Sequence, residues 1–150
     1  LHDEAFFLAA SDKHTPEGDA LETLLKGVEV PLPHPHSFTD HTGAVRHHFR
    51  ARWWEAPDDG IHCRDLVFPP SDGIPKIPVD PSARGMFSPY PVEDVPVFFG
   101  HYLKPGNSPL LPERGNVACL DHAASLDGPL VAYRWEGERI LNPQSYLTHK

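Results

Sequence analysis

The segment Val95–Leu103, Val-Pro-Val-Phe-Phe-Gly-His-Tyr-Leu, is the part of the sequence around which we arrange the rest of the fold. Its apolar run 97–99 is short, rich in β-branched and aromatic residues, and bounded by Pro96 and Gly100, which predicts a buried central strand. We expect a sharp turn at Gly100, because glycine adopts backbone conformations closed to other residues. His101 would then stand at the carboxyl edge of the strand, where open α/β sheets bind ligands. Imidazole is the commonest metal ligand, although this segment alone favours a histidine hydrogen-bonded within a loop.

The composition argues against several classes of protein function. The chain has 150 residues, 39% of them apolar, with 18 prolines, 11 glycines and a formal net charge of −8. An acidic chain is a poor candidate for nonspecific binding to nucleic acid or to an anionic membrane, and no apolar stretch approaches the ~20 residues of a membrane span. The start at Leu1 lacks the basic residues of a signal peptide and also lacks a Met. We therefore expect a cytoplasmic protein, and we expect the chain to be a piece of a longer one.

The two cysteines, Cys63 and Cys119, are too few for a disulfide framework, and no CxxC pair suggests a zinc site. We expect both to be reduced, buried thiols.

One helix is clearly marked near the N-terminus. Thr15 is a capping residue, Pro16 suits the first helical position, and Gly27 ends the helix. Glu22 and Lys26 stand at i,i+4, and the apolar residues of this segment fall on one stripe: Ala20, Leu21, Leu24 and Leu25. The apolar run Ala5–Ala10 before it is the end of either a strand or a helix.

Prolines at 31, 33 and 35 predict an extended segment that cannot be a central strand. It carries His34 and His36, whose rings would point to opposite sides of an extended chain, which favours surface histidines over metal ligands. Residues 37–43 are polar and predict a turn at Thr42-Gly43.

Residues 45–54 alternate in polarity, which predicts one strand with an apolar face and a basic face. The basic face carries Arg46, Arg50 and Arg52. Three guanidinium groups on one face are candidates for contact with a substrate phosphate, because guanidinium matches phosphate bidentately. The alternative, which the residues alone favour, is that they pair with acidic residues on a neighbouring strand.

Residues 69–96 hold eight prolines, a density at which we expect no regular element. The apolar residues of this long Pro-rich loop predict that it packs rather than hangs free, and it is a possible lid. Further on, residues 116–121 and 130–135 predict two more strands, and Glu136-Gly137 predicts a hairpin turn from the second of these into residues 139–141.

Three segments carry a family resemblance: 98–102 (FFGHY), 116–121 (NVACLD) and 128–138 (GPLVAYRWEGE). Together they look like the C-terminal part of a bacterial calcineurin-like metallophosphoesterase, of the serine/threonine protein phosphatase or diadenosine tetraphosphatase type. Residues 24–33 (LLKGVEVPLP) and 50–54 (RARWW) resemble the middle part of the same group. The resemblance therefore covers nearly the whole chain, 1–150, as a single partial domain.

The resemblance implies an α/β (α+β) fold, the C-terminal part of a four-layer sandwich with mostly strands, long Pro-rich loops and one clear helix. It implies two divalent metal ions, Mn, Fe, Zn or Ni, and a phosphate-ester substrate. By resemblance His101, in the Gly-His motif, is a metal ligand. Asp121 matches an aspartate that ends a late strand of the family, where its role is structural, so we assign no catalytic residue.

The family motifs Asp-x-His, Gly-Asp-x-x-Asp and Gly-Asn-His are missing from this chain. Asp40-His41 and Asp121-His122 lack the intervening residue, and Gly106-Asn107 and Gly115-Asn116 lack the histidine. The leading hypothesis is a C-terminal fragment of a phosphoesterase that is inactive alone and poorly soluble. The alternative is a noncatalytic binding or scaffolding domain derived from that fold. The coding sequence upstream of Leu1 separates the two hypotheses: metal motifs there favour the hydrolase, and a start codon near Leu1 favours the binding domain.

Overall fold

The computed structural model describes residues 4–40 and 42–149. Residues 1–3, on which the signal-peptide argument rests, and His41 lie outside the described residues. The chain mixes a few helices with short strands paired in small sheets, which places it in the general α/β class. Its contacts divide it into two compact units, the first ending at Ser88 and the second beginning at Pro89, so the division falls inside the long Pro-rich loop.

Three α-helices lie among the described residues of the first unit, where one clear helix was expected. They are α1 (Glu4–Ala10), α2 (Pro16–Lys26) and α3 (Cys63–Leu66). The apolar run 5–10 is therefore helical. None of the helices in the described ranges has the length and apolar character needed to cross a bilayer.

The caps predicted for α2 are confirmed. The Thr15 hydroxyl accepts a hydrogen bond from the Gly18 N–H at 3.0 Å, and Gly27 ends the helix with a φ of 78°. The ammonium of Lys26 lies 2.5 Å from the Glu22 carboxylate, as the i,i+4 spacing predicts. The apolar stripe is not buried: within α2 only Gly18 is buried, and the leucines at 24 and 25 face solvent.

The predicted single strand over residues 45–54 is two short strands. Strand β3 (Val45–Arg46) pairs antiparallel with β2 (Phe38–Thr39), whereas β4 (His48–Arg50) pairs antiparallel with β1 (Glu29–Pro31). The segment pairs with β2 before His47 and with β1 after it. One continuous apolar face therefore does not form. Of the predicted apolar face, Phe49 and Ala51 are buried and Val45 is exposed.

The core of the first unit draws on both strands and the long loop. Buried residues Val30 and Phe49 face each other across β1 and β4. Ile74 and Val79, from the Pro-rich loop, join the same core, so the prediction that this loop packs is confirmed. The prediction that it holds no regular element is wrong, because Pro81–Met86 form a 3₁₀ helix that Asp80 caps.

The second unit contains two strand pairs. Strand β5 (Val97–Phe99) runs parallel to β6 (Val117–Cys119), and β7 (Leu130–Tyr133) runs antiparallel to β8 (Tyr146–His149). The strand predicted at 97–99 is confirmed, but it is half-buried and, within the described part of the chain, pairs with β6 alone. It is therefore not the buried central strand that was expected.

The strand predictions over 116–121 and 130–135 are confirmed in their central residues, but the predicted hairpin partner is wrong. Residues 139–141 form no strand, and β8 is the partner of β7. The reason is that the Leu141 N–H donates to the carbonyl of Gly115 at 2.7 Å, which holds this segment beside the start of β6. The core here contains Ala118, Val131, Leu141 and Tyr146.

Candidate functional site

The parallel pairing of β5 and β6 brings two sequence-distant turns to one edge. Phe99 is in register with Cys119, so the residues that follow the two strands leave the sheet side by side. Gly100 and His101 follow β5, and Asp121 and His122 come shortly after β6. The carboxyl ends of parallel strands are where α/β folds place their ligands, which makes this edge the candidate site.

His101 is exposed, and its backbone adopts the left-handed conformation with a φ of 68°. The sharp turn predicted at Gly100 therefore falls one residue later, on a residue with a side chain, where this conformation costs energy. The His101 N–H donates a hydrogen bond to Oδ2 of Asp121 at 3.1 Å. The imidazole itself stays accessible at the sheet edge.

The second oxygen of the Asp121 carboxylate is also engaged. Oδ1 accepts a hydrogen bond from the Ala123 N–H at 3.2 Å, and Ala123 is left-handed as well, with a φ of 59°. One carboxylate thus accepts from the backbone of both turns. The Asp121 carboxylate therefore links the backbones of the two turns.

A cleft of about 390 Å³ lies at the same edge of the second unit. Its apolar lining comes from Phe98, Phe99, Leu120, Ala124, Leu130 and Val131. Gly100, Asp121 and His122 complete it. The cleft therefore has apolar walls with a few polar groups beside the exposed His101, as small-molecule sites commonly do.

His122 is a buried residue of the site to which the sequence assigned no function. It is 1% exposed, and neither ring nitrogen has a hydrogen-bond partner among the described residues. Burial lowers the pKa of this imidazole, the positive charge of Lys104 lowers it further, and Asp121 acts in the opposite direction. The ring is therefore held neutral. The only sequence signal was its position directly after Asp121.

A second feature that the sequence did not reveal is an ion pair beneath the turns. The ammonium of Lys104 lies 2.6 Å from Oε1 of Glu113, and the two side chains have little exposure. The Lys104 N–H also donates to the backbone carbonyl of Asp121 at 3.0 Å. This pair closes the loop between residues 104 and 113 and supports the backbone from which the Asp121 carboxylate projects.

The three arginines proposed for phosphate contact belong to the first unit, and each has an acidic partner. Arg46 Nε lies 2.7 Å from Asp40, and hydrogen bonds from Thr42 and Arg46 hold the pKa of the Asp40 carboxyl far below its usual range. Arg50 pairs with Glu29 at 2.9 Å across β1 and β4 and donates to the carbonyl of Lys26 at the end of α2.

Arg52 has the longest of these contacts, 3.6 Å from Glu55. Pairing with an acidic residue on a neighbouring strand, the alternative that the residues favoured, is confirmed for Arg50. Arg46 and Arg52 pair instead with acidic residues in adjoining turns. A role in binding phosphate stays a prediction.

The other candidate ligands are scattered. His34 and His36 are exposed, as predicted. Cys63 and Cys119 are free and fully buried, and burial raises the pKa of the Cys119 thiol to about 11. Both cysteines are buried thiols, as expected, and burial raises the pKa of each, which keeps the thiols neutral. Across residues 4–40 and 42–149, no three His, Cys, Asp or Glu side chains are grouped so that they could hold a metal ion.

The described residues do not fit a metal pair by themselves. His101 offers one accessible imidazole at this edge. A catalytic metal usually takes about three protein ligands. A metal centre at this edge would therefore need ligands from beyond the described residues.

No family model matches the chain, no curated protein is similar to it, and no solved structure matches it.

Proposed function

We propose that this chain is the C-terminal part of a dinuclear metallophosphoesterase of the calcineurin-like group, and that His101 is one of its metal ligands. One observation carries the proposal. The Gly-His motif ends a strand of a parallel pair, and its imidazole is accessible at the carboxyl edge, in a left-handed conformation that a neighbouring carboxylate holds. Backbone outliers with a side chain cluster at functional sites.

The rest of the proposed architecture follows from the resemblance. The parent protein has a four-layer sandwich, and the strand pair β5–β6 belongs to one of its sheets. The Asp-x-His, Gly-Asp-x-x-Asp and Gly-Asn-His motifs lie in polypeptide that precedes this chain. The single ligand proposed here agrees with the finding that no three metal-ligating side chains are grouped among the described residues.

The substrate class is a phosphate ester. In dinuclear sites the metal pair polarises the phosphoryl group and supplies a water-derived nucleophile. The contribution of this chain is to hold the His101 imidazole at a fixed place at the strand edge. The candidates for contact with the substrate phosphate stay Arg46, Arg50 and Arg52. Each would have to leave its present carboxylate partner to bind the substrate. Arg52 has the longest of these ion pairs, so breaking it costs the least.

The test uses the complete reading frame that contains this chain. Hydrolysis of p-nitrophenyl phosphate would be measured with added Mn²⁺ for the wild-type protein and for His101→Ala. We expect a loss in kcat of at least about 100-fold, because even residues that only orient a metal ligand are worth about 10–100-fold. His36→Ala is the matched control, since His36 is also an exposed histidine.

Two outcomes would contradict the proposal. Unchanged turnover in His101→Ala would remove His101 from the metal site. Absence of metal-dependent turnover in the intact wild-type protein would favour the alternative, a noncatalytic binding or scaffolding domain.

A further inference from the structure

The Asp121 carboxylate binds the backbone of two residues of the second unit that have positive φ. Among the described residues, the non-glycine positions with positive φ are His101, Ala123 and Asp127. The first two donate their N–H groups to the two oxygens of the Asp121 carboxylate, at 3.1 Å and 3.2 Å. A single side chain therefore satisfies both left-handed turns.

The conformation of His101 depends on such a partner. In the left-handed region the Cβ atom crowds the following carbonyl oxygen, so a residue other than glycine enters it only when the surroundings stabilise it. A hydrogen bond from a backbone N–H to an ionised carboxylate is stronger than one between neutral groups. The Asp121 carboxylate is the partner that the structure provides, and its removal should let His101 return to negative φ.

The direction of the imidazole follows from that backbone angle. A change of φ from the left-handed to the ordinary region rotates the chain by more than about 100°. Because Cβ is fixed to the backbone, the ring would then leave its present place at the end of β5. His101 lies at the surface, so little packing opposes this movement.

We propose that Asp121 is the positioning residue of the site: its carboxylate fixes the left-handed backbone of His101 and thereby sets where the imidazole stands. Asp121 acts through His101: its two carboxylate oxygens accept the backbone N–H groups of His101 and Ala123. The backbone part of this proposal stands by itself. Its consequence for metal binding rests on the proposed function.

The backbone position of Asp121 is itself held, which a positioning role requires. Its carbonyl accepts the Lys104 N–H at 3.0 Å, and the Lys104 side chain is fixed by its ion pair with Glu113. The carboxylate therefore projects from a supported strand end and not from a free loop.

The first measurement is made on the complete protein and needs no activity. Backbone coupling constants from NMR report the sign of φ at His101 in the wild type, in Asp121→Ala and in Asp121→Asn. We expect positive φ in the wild type and negative φ in Asp121→Ala. Asp121→Asn, which has one acceptor oxygen where the carboxylate has two, should keep positive φ at only one of His101 and Ala123. Glu136→Ala, an exposed substitution with the same charge change, should leave both residues as they are.

The second measurement is the affinity of the complete protein for Mn²⁺, which we expect to fall about 10–100-fold in Asp121→Ala, less in Asp121→Asn, and not at all in Glu136→Ala. If His101 keeps positive φ in Asp121→Ala, or lacks it in the wild type, the positioning role is wrong. Should Asp121→Ala fail to fold, the wild type and Asp121→Asn decide the question by the same readout. If φ changes and the Mn²⁺ affinity does not, the positioning of His101 stands and its assignment as a metal ligand fails.

Discussion

Lys104 and Glu113 form an ion pair that is almost withdrawn from solvent: their nitrogen and oxygen atoms lie 2.6 Å apart, and the side chains are 10% and 15% exposed. An ion pair at the surface contributes little to stability, but one partner left alone in a desolvated place is costly. Because Lys104 also donates its N–H to the carbonyl of Asp121, this pair bears on the candidate site as well as on stability.

Removal of one partner should therefore cost more than removal of both. We expect Lys104→Met to lower the free energy of unfolding by about 3 kcal/mol, because Glu113 is left without its counter-charge. The double variant Lys104→Met/Glu113→Leu should recover most of that loss, since an apolar pair of similar volume often replaces a buried ion pair at no cost. Urea titration of the variants measures both effects. Equal losses in the single and double variants would show that the charges are not coupled.

Acid should destabilise the second unit through His122. The pKa of the buried imidazole is lowered in the folded state, whereas in the unfolded chain it takes its ordinary value of about 6.5. The stability that comes from the neutral ring is complete above about pH 6.5. It is lost as the pH falls towards the folded pKa, because only the unfolded state then gains a proton.

We expect the free energy of unfolding to fall with pH in this window by up to about 1.4 kcal/mol per pH unit from this one group. His122→Leu should show a shallower dependence, and His48→Gln, at an exposed histidine, should match the wild type. Urea titrations between about pH 7 and 5 provide the comparison. A slope in His122→Leu equal to that of the wild type would locate the acid sensitivity elsewhere.

Residue 128 has to be glycine because there is no room for a Cβ atom, and not because its φ is positive. A Cβ at this position would overlap the carbonyl oxygen of His122 and lie 2.8 Å from that of Ala123. Both contacts are with backbone atoms, which cannot swing aside as a flexible side chain can. Gly128→Ala should therefore lower the free energy of unfolding by about 3 kcal/mol.

Gly115→Ala is the control, because its Cβ would meet only Ile140 at an ordinary 4.0 Å, and we expect a change within about 0.5 kcal/mol. Thermal unfolding followed by circular dichroism suffices for both variants. Equal melting temperatures for the two variants would mean that the backbone around residue 128 shifts to accommodate the Cβ atom at little cost.

The parts of the fold that the sequence predicted are the ones that local chemistry determines. Helix α2 begins at a hydroxyl cap and ends at a glycine with positive φ, and both signals lie inside the segment they delimit. The strands β5 and β6 are short apolar runs between proline, glycine and polar residues; the bounds of β5 were predicted correctly, and those of β6 to within two residues.

The errors concern partners that are distant in sequence. Alternation over residues 45–54 shows which side chains share a face, but it does not show that Arg46 pairs with Phe38 while Phe49 pairs with Val30. The hairpin was misplaced for the same reason, since Leu141 is held by Gly115. At the candidate site, His101 was identified by its motif, but its left-handed backbone depends on Asp121, twenty positions later.

Helix α2 presents an apolar surface that nothing within the described part of the first unit covers. Leu24 is 77% exposed and Leu25 is 62% exposed, and both belong to the apolar stripe of this helix. Exposed apolar surface promotes association, so we expect residues 1–150 to be poorly soluble. The double variant Leu24→Gln/Leu25→Lys should raise the soluble yield at least about twofold without lowering the melting temperature, since both new residues favour helix.

Thr23→Gln, an exposed polar position of the same helix, is the control and should leave the yield unchanged. Yield and sedimentation of the three proteins measure the effect. A wild-type chain that is monomeric, soluble and melts in one sharp cooperative transition would count against the fragment hypothesis.

The most direct prediction about function is that residues 1–150 alone have negligible phosphoesterase activity. Across the described residues no three metal-ligating side chains are grouped, and His101 supplies one ligand where a catalytic metal usually needs about three. Without the metals there is no activated water and no charge to offset that of the phosphate. The assay is release of p-nitrophenol from p-nitrophenyl phosphate with added Mn²⁺, with His101→Ala prepared in parallel to expose a contaminating phosphatase. Activity that is the same in both preparations comes from such a contaminant. Turnover that the wild-type chain shows and His101→Ala abolishes would mean that this chain assembles a working metal site by itself, and the view that its ligands come from preceding polypeptide would have to be given up.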